Sequence, residues 1–477
     1  MTDVVLAIDL DGTLLRTDSL LESLFLLMRE RPLALGRGVL RLARGRAAFK
    51  GWVADSARLD VAVLPLNTPL LDWLQAERAA GRRLVLATAA DRRIAEAVAA
   101  RVGLFDTVLA TEAGRNLKGE AKAFELVERF GKDGFDYVGD SHADLPVWRE
   151  ARRAIVVGGP GLERAARRVA EVERVFAPQH GRATALLRAM RPHQWVKNLL
   201  LFLPLVAAHA ATDGARLLAA ALAFLAFGLS ASAVYLFNDL LDLAADRRHP
   251  RKCRRPFAAG DLPLAWGLLL TPLLLLTAAT LSLLVLPPAF TLVLGGYVLL
   301  SSAYSVGLKR KPILDVMLLA ALYTVRVIAG AAAVAVPASF WLLAFSMFIF
   351  LSLALSKRYT ELQGLPQRGE LTAAGRGWHV DDLPLVQSLG TSAGLACVLV
   401  LALYIDSAPA QRLYATPEAL WLVCPLLLYW ISRLWFKTHR GEMHDDPVVF
   451  ALRDPVSLLI GALSAGIVIL ATLWVAP

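Results

Sequence analysis

Residues 238–256 read NDLLDLAADRRHPRKCRRP, four side chains of ligand type followed by a run of cations. Asn238, Asp239, Asp242 and Asp246 recur at offsets that place them on one side of a helix. Arg247, Arg248, Arg251, Lys252, Arg254 and Arg255 come directly after. Carboxylates at this density raise one another's pKa values unless a cation sits among them. Their hard oxygens suit Mg²⁺, which is held by one or two carboxylates together with waters and substrate phosphates. The neighbouring Arg and Lys side chains suit the phosphate oxygens that a metal leaves uncovered. A solvated basic loop at a membrane surface accounts for the arginines, but not for an Asn and three Asp at helical spacing where an apolar run ends.

A second set of polar residues lies near the N-terminus. The apolar runs 4–8, 84–87 and 135–138 read as buried strands. They end at Asp9-Leu10-Asp11-Gly12-Thr13, at Thr88, and at Gly139-Asp140-Ser141-His142-Ala143-Asp144. Polar groups set just after successive strands predict an open α/β sheet with its site at the carboxyl ends of the strands. The insert between Thr13 and Thr88 reads as helical at 20–28, 33–42 and 69–78.

These two constellations need different scaffolds. Hydrophobic residues make up 56% of the 477 and charged ones 19%, and the apolar excess lies almost wholly after residue 198. That half predicts an all-α polytopic membrane bundle. Nine spans are expected, at 196–212, 216–238, 262–284, 288–306, 313–334, 339–356, 384–405, 417–436 and 456–475, each near the twenty residues a bilayer requires. The run 217–237, just before Asn238, is one of them. With the N-terminal part in the cytoplasm, the inner loops hold seventeen Lys and Arg and the outer ones two. The positive-inside rule then places both polar constellations at the cytoplasmic face of the cell inner or plasma membrane. Residues 162–190, rich in Ala, Arg and Glu, predict a helical linker. The expected organisation is an α/β domain at 1–160 (cap about 15–80), a linker at 161–190 and a membrane domain at 191–477. Asp3, Asp9 and Asp11 interrupt the only apolar run at the N-terminus, which argues against a signal peptide. Cys253, Cys397 and Cys424 fit neither a disulfide framework nor a zinc site. The net charge of +10 suits anionic lipid and phosphate ligands; no basic soluble module with interleaved aromatics points to nucleic acid.

The stretch 238–256 resembles the first aspartate-rich motif of the UbiA superfamily of membrane prenyltransferases. Its longer form, N-D-x-x-D-x-x-x-D-R-x-H-P-x-K-x-x-R-P, is similar to the branch that transfers phosphoribose from phosphoribosyl pyrophosphate to a polyprenyl phosphate. The resemblance implies a Mg²⁺ site at Asn238, Asp239, Asp242 and Asp246, with the three aspartates catalytic. It implies substrate contacts from Arg247, His249, Lys252 and Arg255. The string RPHQWVKN at 191–198 resembles the entry to the first span of that branch, with Lys197 and Asn198 facing the polar site. The second aspartate motif of the superfamily is halved here: Asp315 is followed four residues later by Leu319, with Tyr304, Lys309 and Lys311 close by. Tyr304, Lys309 and Asp315 are therefore expected at the substrate. Arg326, inside the fifth span, is expected to face the bundle interior and to pair with a carboxylate or phosphate, because an unpaired charge there is costly. The string HDDPVVFALRDP at 444–455 resembles the corresponding loop of the same branch; a structural loop and a site-closing one are equally expected.

Residues 1–160 resemble the haloacid dehalogenase (HAD) phosphatases, a Rossmann-like fold with a helical cap. By that likeness Asp9 is the nucleophile, Asp11 the acid/base and Thr88 a phosphoryl-oxygen ligand. Lys122 in GEAKAFEL neutralises charge beside Asp9, with Lys118 the rival, and Asp140 and Asp144 complete a second Mg²⁺ site with Asp9 and Asp11. Together the likenesses imply a bifunctional enzyme whose phosphatase acts on the lipid-linked product of the transferase. Its partners are a polyprenyl lipid, a phosphorylated sugar or diphosphate donor, and the membrane. The alternatives are prenyl transfer from a polyprenyl diphosphate to an aromatic or small acceptor, with an unrelated or regulatory HAD phosphatase, and a transporter or lipid-binding scaffold.

Overall fold

A computed structural model describes residues 4–42, 45–112, 115–177, 181–366, 369–373, 375–443 and 447–473. The chain forms two compact units: Met1–Arg191 with Tyr235–Pro272, and Pro192–Val234 with Leu273–Pro477.

The first unit is built on six parallel strands, β1 Val5–Ile8, β2 Leu84–Asp91, β3 Thr107–Thr111, β4 Phe135–Gly139, β5 Arg153–Val157 and β6 Val172–Phe176, in the order β3-β2-β1-β4-β5-β6. Both faces are covered, as parallel sheets require. Val5 and Ala7 enter one core with Tyr137 and Trp148, while Leu6 and Ile8 enter the other with Leu70 and Leu74. The helices are α1 Ser19–Glu30, α2 Pro32–Leu42, α3 Arg46–Ser56, α4 Thr68–Ala79, α5 Arg92–Val102, α6 Glu120–Phe130, α7 Leu145–Glu150, α8 Pro160–Ala166 and α9 Arg182–Met190.

Two features differ from the sequence-based expectation. The linker expected to be helical contains β6, which pairs in parallel with β5, so the sheet extends beyond residue 160. Moreover, α4 packs on the sheet through Leu70 and Leu74, whereas α1 and α3 share a separate small core of Leu27, Val53 and Ala57. The stretch 15–80 expected as a cap thus contributes α4 to the sheet core and α1 and α3 to a core of their own, and α3 is a helix that the sequence reading missed.

The second unit is helical. After a 3-10 run, Pro192–Phe202, come α10 Leu203–Ala207 and α11 Gly214–Leu241, whose last residues, with α12 Leu243–Arg248, belong to the first unit. The remaining helices are α13 Leu264–Val285, α14 Pro288–Val306, α15 Pro312–Ala333, α16 Phe340–Gln363, α17 Leu383–Ile405, α18 Ala408–Leu413, α19 Val423–His439, α20 Pro447–Ala451 and α21 Pro455–Leu473. Among the described residues eight helices are long and apolar enough to cross a membrane. The expected span at 196–212 is not one of them, but the chain there still runs beside α11. Trp195 donates to Ser232 Oγ at 3.0 Å, Phe202 packs on Phe224, and Leu205 shares a cluster with Ala220. The partners descend as the residue number rises, so this segment lies antiparallel to a membrane helix. At about 2.0 Å per residue a 3-10 run covers more distance per residue than an α-helix. Gly228 and Gly330 permit the close approach: a Cβ would stand 2.7 Å from the Trp195 ring and 2.1 Å from the Leu201 carbonyl oxygen.

Candidate active sites

In the α/β domain the strand ends converge on one cavity of about 300 Å³, lined by Asp9, Asp11, Thr88, Lys122, Asp140 and Asp144 among others. Lys122 Nζ, on α6, donates to Asp9 Oδ1 at 2.8 Å and to Tyr137 Oη at 2.7 Å. Tyr137 Oη in turn donates to Asp144 Oδ1 at 3.0 Å. This geometry chooses Lys122 over Lys118, which is exposed. Tyr137 is a member that sequence reading missed, since on a buried strand it reads as core. Thr88 Oγ1 accepts from Ala90 N. Asp11 accepts from both the backbone N and Oγ of Ser19, at 2.8 and 3.1 Å, which ties it to the first turn of α1. Gly12 has φ +78°, and a Cβ there would stand 2.1 Å from Asp140 Oδ2, so only glycine fits the turn.

Carboxylate oxygens of Asp9, Asp140 and Asp144 lie within 4.8 Å of one another, a hard-oxygen set that fits Mg²⁺. Without a cation the crowding is costly. Burial raises the Asp140 carboxyl to about 8, with Asp9 and Asp144 adding to the effect. Burial, reinforced by Asp18, raises Asp11 to about 7 against its bonds from Ser19, a value suited to giving and taking a proton near neutrality. A metal must displace the proton on Asp140, so Mg²⁺ affinity is expected to rise as pH goes from 6 to 8 and to level off above. The slope is about tenfold per pH unit for one proton released. Calorimetric Mg²⁺ titrations of the wild type, corrected with Asp140→Asn, check this; a pH-independent affinity contradicts it.

The aspartate-rich stretch belongs to the same unit. It is not one continuous helix: α11 ends at Leu241 and Asp242 stands at the junction with α12, although backbone bonds from Asp242 to Asn238 and from Asp246 to Asp242 preserve the helical spacing. Asp239 receives Arg191 at 2.5 and 2.6 Å. Arg255 Nη1 lies 3.1 Å from Asp239 Oδ1 and 2.6 Å from Asp246 Oδ2. Two carboxylates thus share one cation, and the buried Asn238 Oδ1 has no partner among the described residues. This donor set fits a divalent ion, provided that Arg255 turns toward the substrate. Asp242 pairs with Arg29 of α1 at 3.2 Å. Burial raises Asp246, Arg255 opposes the rise and Asp239 adds to it. His249 accepts from the backbone of Arg251 and Lys252 through Nδ1, shaping the turn.

Arg247 departs from the expected substrate contact. Its guanidinium binds Glu22 of α1, with Nη1 to Oε2 at 3.0 Å, and both side chains are buried. Glu22 also accepts from Thr17 Oγ1 at 2.6 Å. Arg247→Met is expected to destabilise the protein by about 3–5 kcal/mol, because Glu22 then keeps a buried charge without a counter-ion. Thermal unfolding in detergent measures it, and adding Glu22→Gln should recover most of the loss. A single-variant cost under about 1 kcal/mol would show that the pair is solvated in solution.

In the second unit, Asp315 is fully buried and fully engaged. Tyr304 Oη donates to Oδ1 at 2.8 Å and Trp378 Nε1 to Oδ2 at 2.9 Å. Arg358 Nε lies 2.6 Å from Oδ2 but too oblique for a hydrogen bond, while Arg358 Nη2 donates to Oδ1 at 3.4 Å; Arg358 also pairs with Glu361, and Arg376 Nη1 stands 3.7 Å from Oδ1. Lys309 lies on the one-turn segment Leu308–Arg310. Arg326 faces the bundle interior as expected, but among the described residues no carboxylate pairs with it. Asn198 Oδ1 accepts from its Nε at 3.1 Å, the Leu322 carbonyl accepts another N–H, and Phe227, Tyr297 and Tyr323 present their rings at 5.2, 5.1 and 5.6 Å. Three ring faces surround the guanidinium, and Lys197 lies over the Tyr323 ring as well. His444, Asp445 and Asp446 fall outside the described residues; Asp454 of the same loop pairs with Arg433 at 2.6 Å and bonds Ser457 at the start of α21, a structural use.

Comparison with known proteins places these features. Residues 199–474 match the UbiA prenyltransferase family and residues 6–149 match haloacid dehalogenase-like hydrolases. A Sinorhizobium fredii protein, y4nM, is 39% identical over 467 residues, 97% of this chain and 90% of that one. The nodulation protein NoeC of Azorhizobium caulinodans is 39% identical over 287 residues, 59% of this chain and 92% of its own. Decaprenyl-phosphate phosphoribosyltransferase of Mycolicibacterium smegmatis is 32% identical over 292 residues, 60% of this chain and 92% of its own. The chain is thus a membrane enzyme that belongs to the UbiA prenyltransferase family, with a HAD-like domain fused to its N-terminus.

Proposed function

We propose that the membrane domain transfers 5-phosphoribose from phosphoribosyl pyrophosphate to a polyprenyl phosphate, and that the HAD-like domain then removes the 5-phosphate to leave a lipid-linked ribose. The likeness to decaprenyl-phosphate phosphoribosyltransferase, over nearly all of that protein's length, carries this reading. The full N-D-x-x-D-x-x-x-D-R-x-H-P-x-K-x-x-R-P string supports it. An apolar cavity of about 650 Å³ in the second unit, lined by Trp341, Phe345, Leu401, Trp430 and Ile460, suits a hydrocarbon chain. The excess of Lys and Arg in alternate loops supports a cytoplasmic position for both sites.

In the transferase, Asp239 and Asp246 would hold Mg²⁺ with Asn238, and Arg255, released from them, would bind the diphosphate. Departure of diphosphate from C1 of the ribose leaves oxocarbenium character, and the phosphate oxygen of the lipid forms the new C1–O bond. Positioning and charge stabilisation supply the catalysis. In the phosphatase, Asp9 attacks the 5-phosphate and forms an aspartyl phosphate, while Asp11 protonates the departing ribose oxygen. Asp11 then takes a proton from the water that hydrolyses the acyl phosphate. Lys122 favours the ionised form of Asp9 against its burial, and Thr88 orients the phosphoryl oxygens. When bound at Asp9, Asp140 and Asp144, Mg²⁺ would mask the phosphate charge from the nucleophile.

Incubation of the membrane-embedded enzyme with labelled phosphoribosyl pyrophosphate, polyprenyl phosphate and Mg²⁺ tests the reading. Lipid-extractable label that subsequently loses its 5-phosphate supports both steps. Incorporation only from a polyprenyl diphosphate into an aromatic acceptor moves the enzyme to prenyl transfer.

A further inference from the structure

The phosphatase cavity is lined by Asp9, Asp11, Asp18, Asp91, Asp140 and Asp144 and also by three cations, Lys50, Lys118 and Lys122. Lys122 is held by Asp9, whereas among the described residues Lys50 is not held by a carboxylate. Lys50 comes from the cap helix α3. Its Nζ reaches across to the sheet domain and donates to the Ala89 carbonyl at 2.6 Å and to Asn116 Oδ1 at 2.9 Å. Both acceptors are neutral, and among the described residues no carboxylate lies at ion-pair distance from it. An ammonium has three donors, so one N–H remains unassigned. Ala89 follows Thr88 directly, so this cation stands beside the phosphoryl-binding residue. Burial lowers its pKa, with Lys118 and Lys122 adding to the effect and Asp11 and Asp18 opposing it. A purely structural strut needs no charge here, since a neutral donor would make the same two bonds.

We propose that Lys50, assisted by Lys118, is the specificity determinant of the phosphatase and binds a second anionic group of the substrate, so that the site selects a sugar phosphate that carries another phosphate or phosphodiester. This rests on the reading that the N-terminal domain is a phosphatase. It deepens that reading, because a ribose 5-phosphate joined through C1 to a lipid phosphate has its second anion at the far side of the sugar. The cap helix that closes over the substrate thereby senses whether that anion is present.

The full-length enzyme in detergent with Mg²⁺ provides the test, with ribose 1,5-bisphosphate, ribose 5-phosphate and p-nitrophenyl phosphate as probes. Wild-type kcat/KM is expected to be at least tenfold higher for the bisphosphate than for ribose 5-phosphate, the scale of one charge-assisted hydrogen bond. Lys50→Met should raise KM for the bisphosphate by about 10–100-fold with a smaller change in kcat, and should erase the preference. Lys50→Gln, which can still bond the Ala89 carbonyl, should behave like Met; Lys50→Arg should restore part of the preference. Equal losses on all three probes, or recovery by Gln, assign Lys50 a structural role and overturn the proposal. Turnover of all probes by the wild type with no preference overturns the proposal alone. No phosphate release from any probe overturns the phosphatase reading and the proposal with it.

Discussion

Asp9→Asn is expected to abolish phosphate release while leaving label transfer to lipid intact, so that a polyprenyl-phosphoryl ribose 5-phosphate accumulates. Asn cannot form the acyl phosphate, and it also removes one of three metal-type carboxylates and the anion that Lys122 holds at 2.8 Å. Loss of a covalent nucleophile costs on the order of 10³–10⁶-fold in turnover. Two opposed effects act on the stability of the variant: it loses the ion pair with the buried Lys122, which keeps Asp144 at 3.7 Å, and it loses a crowded carboxylate. Asp9 sits in a crowded acidic cluster whose burial already raises its pKa, so a neutral amide relieves repulsion from Asp140 and Asp144. A thermal melt of the variant establishes that it is folded, so that the loss of phosphate release is read as a loss of chemistry. Mass spectrometry of extracted lipids measures the outcome. Continued loss of the 5-phosphate in Asp9→Asn would assign that step to another enzyme.

Asp315→Ala is expected to cost about 3–5 kcal/mol, and to act through the fold of the bundle. The carboxylate is the counter-ion of Arg358, which is 1% exposed, and the acceptor for Tyr304 and Trp378. Removing it leaves Arg358 with Glu361 alone, and leaves an indole N–H and a phenol without acceptors. Asp315→Asn retains one acceptor oxygen, enough for either the phenol or the indole, and should lose less. Pairing Asp315→Leu with Arg358→Met should recover much of the stability, since removing both ends of a buried pair is far milder than removing one. Thermal melting in detergent separates these cases. A variant that melts normally but no longer turns over would restore Asp315 to the substrate-binding role expected from its sequence position.

Much of the architecture was legible in the sequence, for local reasons. Strand β1 ends at Asp9 because a β-branched apolar run meets the turn DLDGT, and Gly12 has the positive φ that such a turn requires. The membrane helices followed from the length and composition of apolar runs, which depend on the bilayer alone. The segment after Arg191 was expected as a span from the same property, although its 3-10 geometry depends on contacts with Gly228 and Gly330 far along the chain. Strand β6 was missed because its exposed Glu and Arg give an edge strand no apolar signature.

The sites divide in the same way. The residue types of Asp9, Asp11, Thr88, Asp140, Asp239 and Asp246 stood out because they interrupt apolar runs at regular spacing. Their partners did not. Lys122 and Lys118 are equivalent by composition, and only packing of α6 on β4 puts one of them on Asp9. Lys50 lies 39 and 66 residues from the atoms it touches, on a helix with little amphipathic pattern. Arg247 reads as one phosphate ligand among six cations until Glu22, 225 residues away, is seen to hold it. Arg326 was expected to pair with a carboxylate or phosphate; among the described residues no carboxylate does so, and three aromatic rings from different helices surround it. Spacing along the chain therefore determined which groups could do chemistry and which segments lie in the membrane. Which charges remain available for substrate was decided by tertiary structure, because a charge is committed by whatever stands within a few ångströms of it, and that neighbour is rarely close in sequence.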